Sequence, residues 1–224
     1  MAVAIVGGTG DLGFGLAVRL ARAGVEVLIG SRSEERALHA VERVPEGTVR
    51  GAENPQAVSG ADVVFVTVPY EGQAEIYRSI RDGLRDDTVV CDTTTPLATA
   101  VGGRPTHVVR PWHGSAAEQA SAILRDGARL VSGFHTVSAE LLEDPAAHLD
   151  EDVLLCGDDP EAKARVGELV ERIPGLRWVD CGVLSAARIL EPITAAMISV
   201  NRRYRVRGAG IRVTGRDAWG RPPS

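Results

Sequence analysis

An α/β fold, a doubly wound and mainly parallel sheet followed by a small C-terminal helical segment, is what this sequence predicts, and three observations carry it. Short apolar runs alternate with stretches of helical periodicity through the first half of the chain and past its midpoint. The first run, Ala2 to Val6, ends in a glycine-rich turn that opens a helical pattern. From Leu184 the texture changes to a nearly all-apolar helical stretch. The expected division is 1–182 for the sheet domain and 183–224 for the helical segment.

Taken in order, Ala2 to Val6 is a continuous apolar run of the kind a strand buried on both faces requires. Leu12, Leu16, Ala17, Leu20 and Ala21 recur at helical spacing, and Gly24 closes that helix. Val25 to Ile29 and Asp62 to Val68 read as further strands, each followed by a polar break and a helical pattern. Asn54-Pro55 and Asp159-Pro160 both read as a capping residue followed by proline in the first turn. Ser115 with Glu118 has capping-box spacing. Ala128 to Val131, Asp152 to Cys156 and Leu176 to Val179 are expected strands, with Val166, Leu169, Val170 and Ile173 striping the helix between the last two. Beyond Leu184, apart from Arg188 and Glu191, almost no polar face is left up to Val200, so that helix needs cover from the chain or from a second subunit. It falls short of the roughly 18 apolar residues of a membrane span, so a homodimer is expected and a membrane role is not.

Composition narrows the functional classes. In 224 residues, 44% hydrophobic content suffices for a core and argues against disorder. The charge is 25 − 30 = −5 and aromatic residues make up 4%, so neither a basic field nor a stacking platform recruits nucleic acid. Three cysteines, Cys91, Cys156 and Cys181, are odd in number and far apart, which suits reduced thiols in a cytoplasmic protein. Met1 runs straight into the first apolar run without a basic leader, so that run reads as a strand and not as a signal peptide.

Gly8-Thr9-Gly10-Asp11-Leu12-Gly13 is G-x-G-x-x-G between a strand and a helix. The first glycine permits the tight turn, the second lets backbone approach a pyrophosphate, and the third lets helix pack on strand. The helix N-terminus then presents amides and partial positive charge to the anion, the arrangement of a Rossmann-type domain. At the end of the second strand, where a carboxylate would select NAD, stand Gly30-Ser31-Arg32, with Arg36 one turn on. A hydroxyl and guanidinium groups suit a 2′-phosphate and predict NADP(H). Charge-assisted hydrogen bonds contribute about 1.5–3 kcal/mol each, so two favour NADP by roughly two to four powers of ten. The alternative is that Ser31 only caps the next helix and Arg32 is solvated. Thr67-Val68-Pro69-Tyr70 ends another strand at the same sheet edge, a third expected nucleotide contact.

Familiar catalytic devices are missing: no G-x-S-x-G elbow, H-E-x-x-H, Walker sequence or C-x-x-C pair occurs, and the five histidines show no metal-ligand spacing. His135, in Phe134-His135-Thr136-Val137-Ser138-Ala139, follows a predicted strand at the ligand edge and is the one catalytic candidate; a core or surface histidine is the competing reading. Hydride transfer between two coenzymes asks little of side chains beyond alignment and exclusion of water.

With these pieces in place, the sequence resembles the NADPH:coenzyme F420 oxidoreductases. The matching segments are Gly7-Gly8-Thr9-Gly10 with Leu12-Gly13 and Gly15, Gly30-Ser31-Arg32, Thr67-Val68-Pro69 and Ser115-Ala116-Ala117-Glu118. Further on come Phe134-His135-Thr136-Val137, Cys156-Gly157-Asp158-Asp159, Gly175-Leu176-Arg177, and Asn201-Arg202-Arg203-Tyr204 running to Gly208-Ala209-Gly210-Ile211-Arg212. The resemblance implies hydride transfer between NADP(H) and the deazaflavin coenzyme F420 in a dimeric enzyme. It implies nucleotide contacts at Thr9, Gly10, Asp11, Leu12, Ser31, Arg32, Arg36, Val68, Pro69, Tyr70 and Ala139. It implies a deazaflavin pocket lined by His135, Val137, Ala209 and Gly210. The family commonly has asparagine where Asp11 stands and tryptophan where Tyr70 stands, and Asp92 to Leu97 matches it only loosely. Six arginines between Arg202 and Arg216 suit an anionic deazaflavin tail, or equally a solvated or subunit-bridging tail. The competing functions are an NADPH-dependent reductase of a small imine or carbonyl compound, and a non-catalytic NADP sensor.

Overall fold

The structure is a computed structural model and describes residues 1–216 and 219–220. Its first six strands are β1 (Ala2–Val6), β2 (Glu26–Ser31), β3 (Val49–Glu53), β4 (Val63–Val66), β5 (Val89–Asp92) and β6 (Arg129–Ser132). The helices between them are α1 (Asp11–Arg22), α2 (Glu34–Glu42), α3 (Asn54–Val58), α4 (Tyr70–Ile80) and α5 (Ala116–Ile123). The six strands form one parallel sheet in the order β3-β2-β1-β4-β5-β6. After β6 come α6 (Ala139–Glu143), β7 (Glu151–Leu155), α7 (Pro160–Glu171) and β8 (Leu176–Asp180). β7 and β8 pair in parallel, and an antiparallel bridge between Ser132 and Cys156 joins them to the edge of β6. The last helices among the described residues are α8 (Ala187–Leu190) and α9 (Ile193–Tyr204). This is the expected doubly wound α/β architecture, with the winding direction changing between β1 and β4, where such folds open a crevice at the carboxyl ends of their strands.

One apolar core lies on each face of the sheet. Val3, Ile5, Phe65 and Cys91 face the first, under α1, α7 and Phe134; Ala4, Val6, Val64 and Val90 face the second, under α3, α4 and α5. The parity is the period-2 alternation of strands. On the first face Gly15 brings α1 against α6, since a Cβ there would lie 2.7 Å from the Leu142 Cβ. Arg19, 6% exposed, reaches from α1 to the end of α6 and donates to the carbonyls of Leu141, Leu142, Asp144, Pro145 and Ala147 at 2.6–3.4 Å. One guanidinium thus closes the open C-terminus of a five-residue helix.

Several boundaries depart from expectation. The strand expected over 62–68 ends at Val66: the Thr67 amide and hydroxyl still bond to the Val6 carbonyl, but the Gly8 amide, next along that edge, bonds to Ile5 and Gly30 instead. Asn54 does not cap α3: it is the first helical residue, Glu53 holds the cap position without a side-chain bond, and the buried Asn54 Oδ1 has no partner among the described residues. Asp159 does cap its helix, accepting from the Glu161 and Ala162 amides, and Ser115 accepts from the Glu118 amide as the capping box requires. The long apolar helix after Leu184 is broken at Glu191-Pro192 into α8 and α9, as an interior proline dictates. The chain itself does not cover it, since Ala195 is the buried residue of α9 and Ile189 is 73% exposed. No helix among the described residues is long and apolar enough to cross a membrane.

Candidate active site

The glycine loop has the local geometry its residues dictate. Gly7 takes φ +76°, and the Gly8 amide donates to the carbonyls of Ile5 and Gly30, pinning the turn to β1 and β2. Gly10 precedes α1 without any side-chain bond, so the amides of the first turn face the crevice. A Cβ on Gly13 would collide with the Thr67 hydroxyl and lie 2.8 Å from the Gly7 carbonyl oxygen. The third glycine is therefore what lets α1 sit against the end of β4.

Beside this turn opens a cavity of about 620 Å³. Its wall brings together Thr9, Gly10, Ser31, Arg32, Arg36, Val68 and Pro69, all expected nucleotide contacts. Ser31 is buried at the end of β2, while Arg32 and Arg36 are exposed. Ser33, and not Ser31, caps α2 by accepting from the Arg36 amide, so the capping alternative for Ser31 does not hold. Gly8 and Gly13 are buried behind the loop; Asp11 is exposed and Leu12 half-buried, both outside the cavity wall. Tyr70 also lies outside it and donates to Gln119 Oε1 at 3.0 Å. Sequence reasoning missed Glu53 and Asn54 on the wall; Glu53 stands in register beside Ser31 on the neighbouring strand. The missed signal was β3 itself, whose half-exposed sequence Val-Arg-Gly-Ala-Glu does not look like a buried strand.

A second cluster forms past β6. Phe134 adopts φ +67° and turns the chain so that His135 folds back, 8% exposed, onto the sheet edge. Its Nε2 lies 3.0 Å from Ser132 Oγ and its Nδ1 3.5 Å from Thr95 Oγ1, while Thr194 Oγ1 donates to its carbonyl at 2.6 Å. Burial pulls the imidazole down to about 4, so the ring is neutral at neutral pH. Val137 follows, buried, and Ser138 caps α6. The segment after α9 comes back to this place. Gly208 packs on Leu141 and Ser138, the Ala209 amide donates to Asn201 Oδ1 at 2.9 Å, and Gly210 lies over Glu151. His135 does not line the large cavity. The structure thus brings the expected residues together as two groups, one around the glycine turn and one between α6 and the C-terminal strap.

A buried polar chain runs between the two groups, and no spacing along the chain announces it. Asp92, fully buried at the end of β5, accepts from Gln73 Nε2 at 2.6 Å, Tyr77 OH at 2.8 Å and the Thr94 amide at 2.6 Å. Gln119 links Gln73 to Tyr70. Burial raises both Asp92 and Tyr77, and the hydrogen bonds that Asp92 accepts from Thr94, Tyr77 and Gln73 pull it back down. Thr93 donates to the Val66 carbonyl, and Thr95 contacts His135 and Thr194, so this segment ties the nucleotide edge to the histidine. Glu191, 1% exposed, accepts the Ala116 and Ala117 amides at 2.9 Å and closes the N-terminus of α5. Burial pushes it up to about 8 despite both donors.

Comparison with known proteins adds identity to this geometry. The family described as NADP oxidoreductase, coenzyme F420-dependent, matches residues 2–96. The F420-dependent NADP reductase of Methanothermobacter thermautotrophicus is 44% identical over 221 residues, covering 96% of this chain and 95% of that protein. The protein of the same description from Methanocaldococcus jannaschii is 40% identical over 96% of this chain and 98% of its own length. A crystal structure from Arthrobacter sp. FB24 has a TM-score of 0.82 at 23% identity, over 95% of this chain and 99% of that one, a likeness of fold.

Proposed function

The chain belongs to the F420-dependent NADP reductase family, and from that premise and the two residue groups we infer how it divides its work. It is an oxidoreductase that transfers a hydride between NADP(H) and coenzyme F420. The observation that carries the nucleotide half is the cavity wall, where a Cβ-free turn, first-turn amides and the Ser31-Arg32-Arg36 set converge. A dinucleotide fits there: the glycines leave room for a pyrophosphate, and the orphaned Asn54 Oδ1 beneath Gly30 adds a buried acceptor.

In this reading Thr9, Gly10, Asp11, Leu12 and Gly13 hold the pyrophosphate, with Gly8 beneath them. Ser31, Arg32 and Arg36 hold the 2′-phosphate. Val68, Pro69, Tyr70 and Ala139 orient the remainder of the nucleotide. His135, Val137, Ala209 and Gly210 form the deazaflavin side. When bound, the nicotinamide and the deazaflavin supply the redox chemistry between them. The protein's residues align the two and keep water out. His135, held neutral between Ser132 and Thr95, gives the pocket its shape without a titrating charge. We assign 1–182 to the NADP-binding unit and 183–224 to the unit that completes the deazaflavin side.

The uncovered face of α9, with Ile189 exposed on α8, supports a homodimer, and the three free thiols suit a cytoplasmic setting. The test of function mixes the purified protein with NADPH and oxidised deazaflavin and follows the visible absorbance of the deazaflavin. Bleaching is expected. NADPH oxidation only when an imine is added, or NADPH binding with no turnover, counts against the assignment.

A further inference from the structure

Glu151, the first residue of β7, is sealed beneath the C-terminal strap. It is 4% exposed, and its Oε2 is buried with no hydrogen-bond partner among the described residues. The Ser138 backbone amide, at the cap of α6, favours the charged carboxyl without reaching Oε2. Gly210 lies directly over it: a Cβ there would collide with Oε2 and lie 2.8 Å from Cδ. The strap is fastened on both sides of this contact. Ala209 N donates to Asn201 Oδ1 at 2.9 Å, Asp152 N donates to the Ile211 carbonyl at 2.7 Å, and Val213 N donates to Asp152 Oδ2 at 2.6 Å. The carboxyl is therefore trapped at the one point where the strap rests on it without a bond.

The charges around it are engaged elsewhere. Arg177 of β8 pairs with Asp152, Arg212 of the strap with Asp150, and Arg207 of the strap with Glu140 of α6. Burial pushes Glu151 up to about 7, opposed only by the Ser138 amide. An ionised carboxylate in that place would need donors that the closed strap does not provide.

We propose that Glu151 is a positioning residue for the deazaflavin side of the reaction: as a neutral carboxyl it lets Gly210 sit down, and loss of its proton to solvent lifts the strap that carries Ala209 and Gly210. This rests on the reading that those two residues line the deazaflavin pocket. The sign follows from linkage. The seated strap binds the proton more tightly than a lifted one, so seating is complete below the ordinary carboxylate range. It weakens as pH rises through about 7.

The test measures amide exchange of residues 209–213 from pH 6 to 8.5, corrected for intrinsic chemistry, together with the KM of deazaflavin and of NADPH. In the wild-type protein strap exchange should quicken and the deazaflavin KM rise between pH 6 and about 7, by up to about tenfold, and level off above it. The KM of NADPH should not follow. Glu151→Gln should abolish both steps, whereas a pH effect arising in the ligand persists in it. Gly210→Ala, which pushes the strap off the carboxyl, should bring the pH 6 deazaflavin KM towards the wild-type value at pH 8.5. Strap exchange without a pH step, or an unchanged step in Glu151→Gln, overturns the role of Glu151. A step in exchange with none in the deazaflavin KM overturns instead the placing of Ala209 and Gly210, and the proposal as a statement about the reaction.

Discussion

Arg19→Ala is expected to destabilise the protein by about 3–5 kcal/mol, a loss that belongs to the rare severe class for single substitutions. The side chain is 6% exposed and serves five carbonyls, two within α6 and three just beyond it. Hydrogen bonds from a charged donor contribute about 1.5–3 kcal/mol each, and carbonyls left unpaired in a buried place add a desolvation cost of about 1–3 kcal/mol. The sum does not reach five full bonds, because some of these carbonyls are near enough to solvent to recruit water. For a chain of this size the melting temperature should fall by roughly 6–20 °C. Arg22→Ala supplies the control: its half-exposed guanidinium pairs with Glu46 and shares only the Pro145 carbonyl with Arg19, so its loss should cost no more than about 1 kcal/mol. Equal melting temperatures for the two variants would contradict the role given to Arg19.

Removing both guanidinium groups beside the glycine turn, in Arg32→Ala with Arg36→Ala, should lower the preference for NADPH over NADH by about two to four powers of ten. The ratio of the two kcat/KM values is the measurement. Most of the change should appear as weaker NADPH binding, since NADH has no phosphate for these groups to hold. Glu53, in register beside Ser31, places a carboxylate on the same wall. Once the arginines are gone, that charge disfavours the 2′-phosphate and reinforces the switch. An unchanged ratio would show that the two groups are solvated in the complex and would remove the 2′-phosphate from this wall.

What the sequence made legible was whatever chemistry lies close together along the chain. The glycine turn, Ser31-Arg32 and the Asp159 and Ser115 caps are each set by a few consecutive residues, and periodicity marks most strands and helices. Other features depend on meetings that spacing cannot reveal. Arg19 finds Leu142 across 123 positions, and Glu191 finds Ala116 across 75. Asp92 reads as an ordinary polar residue until Gln73 and Tyr77, one turn apart on α4, are seen facing it. Asp92 falls in the stretch that matched the family only loosely, so the resemblance offered no help there either. β3 was missed because an edge strand carrying Arg50 and Gly51 lacks the apolar run, and β5 because its apolar run is only Val89-Val90-Cys91, closed by the polar Thr88 and Asp92. The break of the last helix at Pro192 was legible in principle; the apolar content of the stretch outweighed a residue that cannot continue the hydrogen-bond ladder.

The closure of α5 by Glu191 also sets an order of events during synthesis. The acid that satisfies the first amides of that helix is encoded 75 positions downstream. At a ribosomal rate of about 5–20 residues per second, α5 waits roughly 4–15 s for it. The amino-terminal strands and their turn can assemble co-translationally in that interval. The eight-residue helix, too short to persist alone, locks only once Glu191 has emerged.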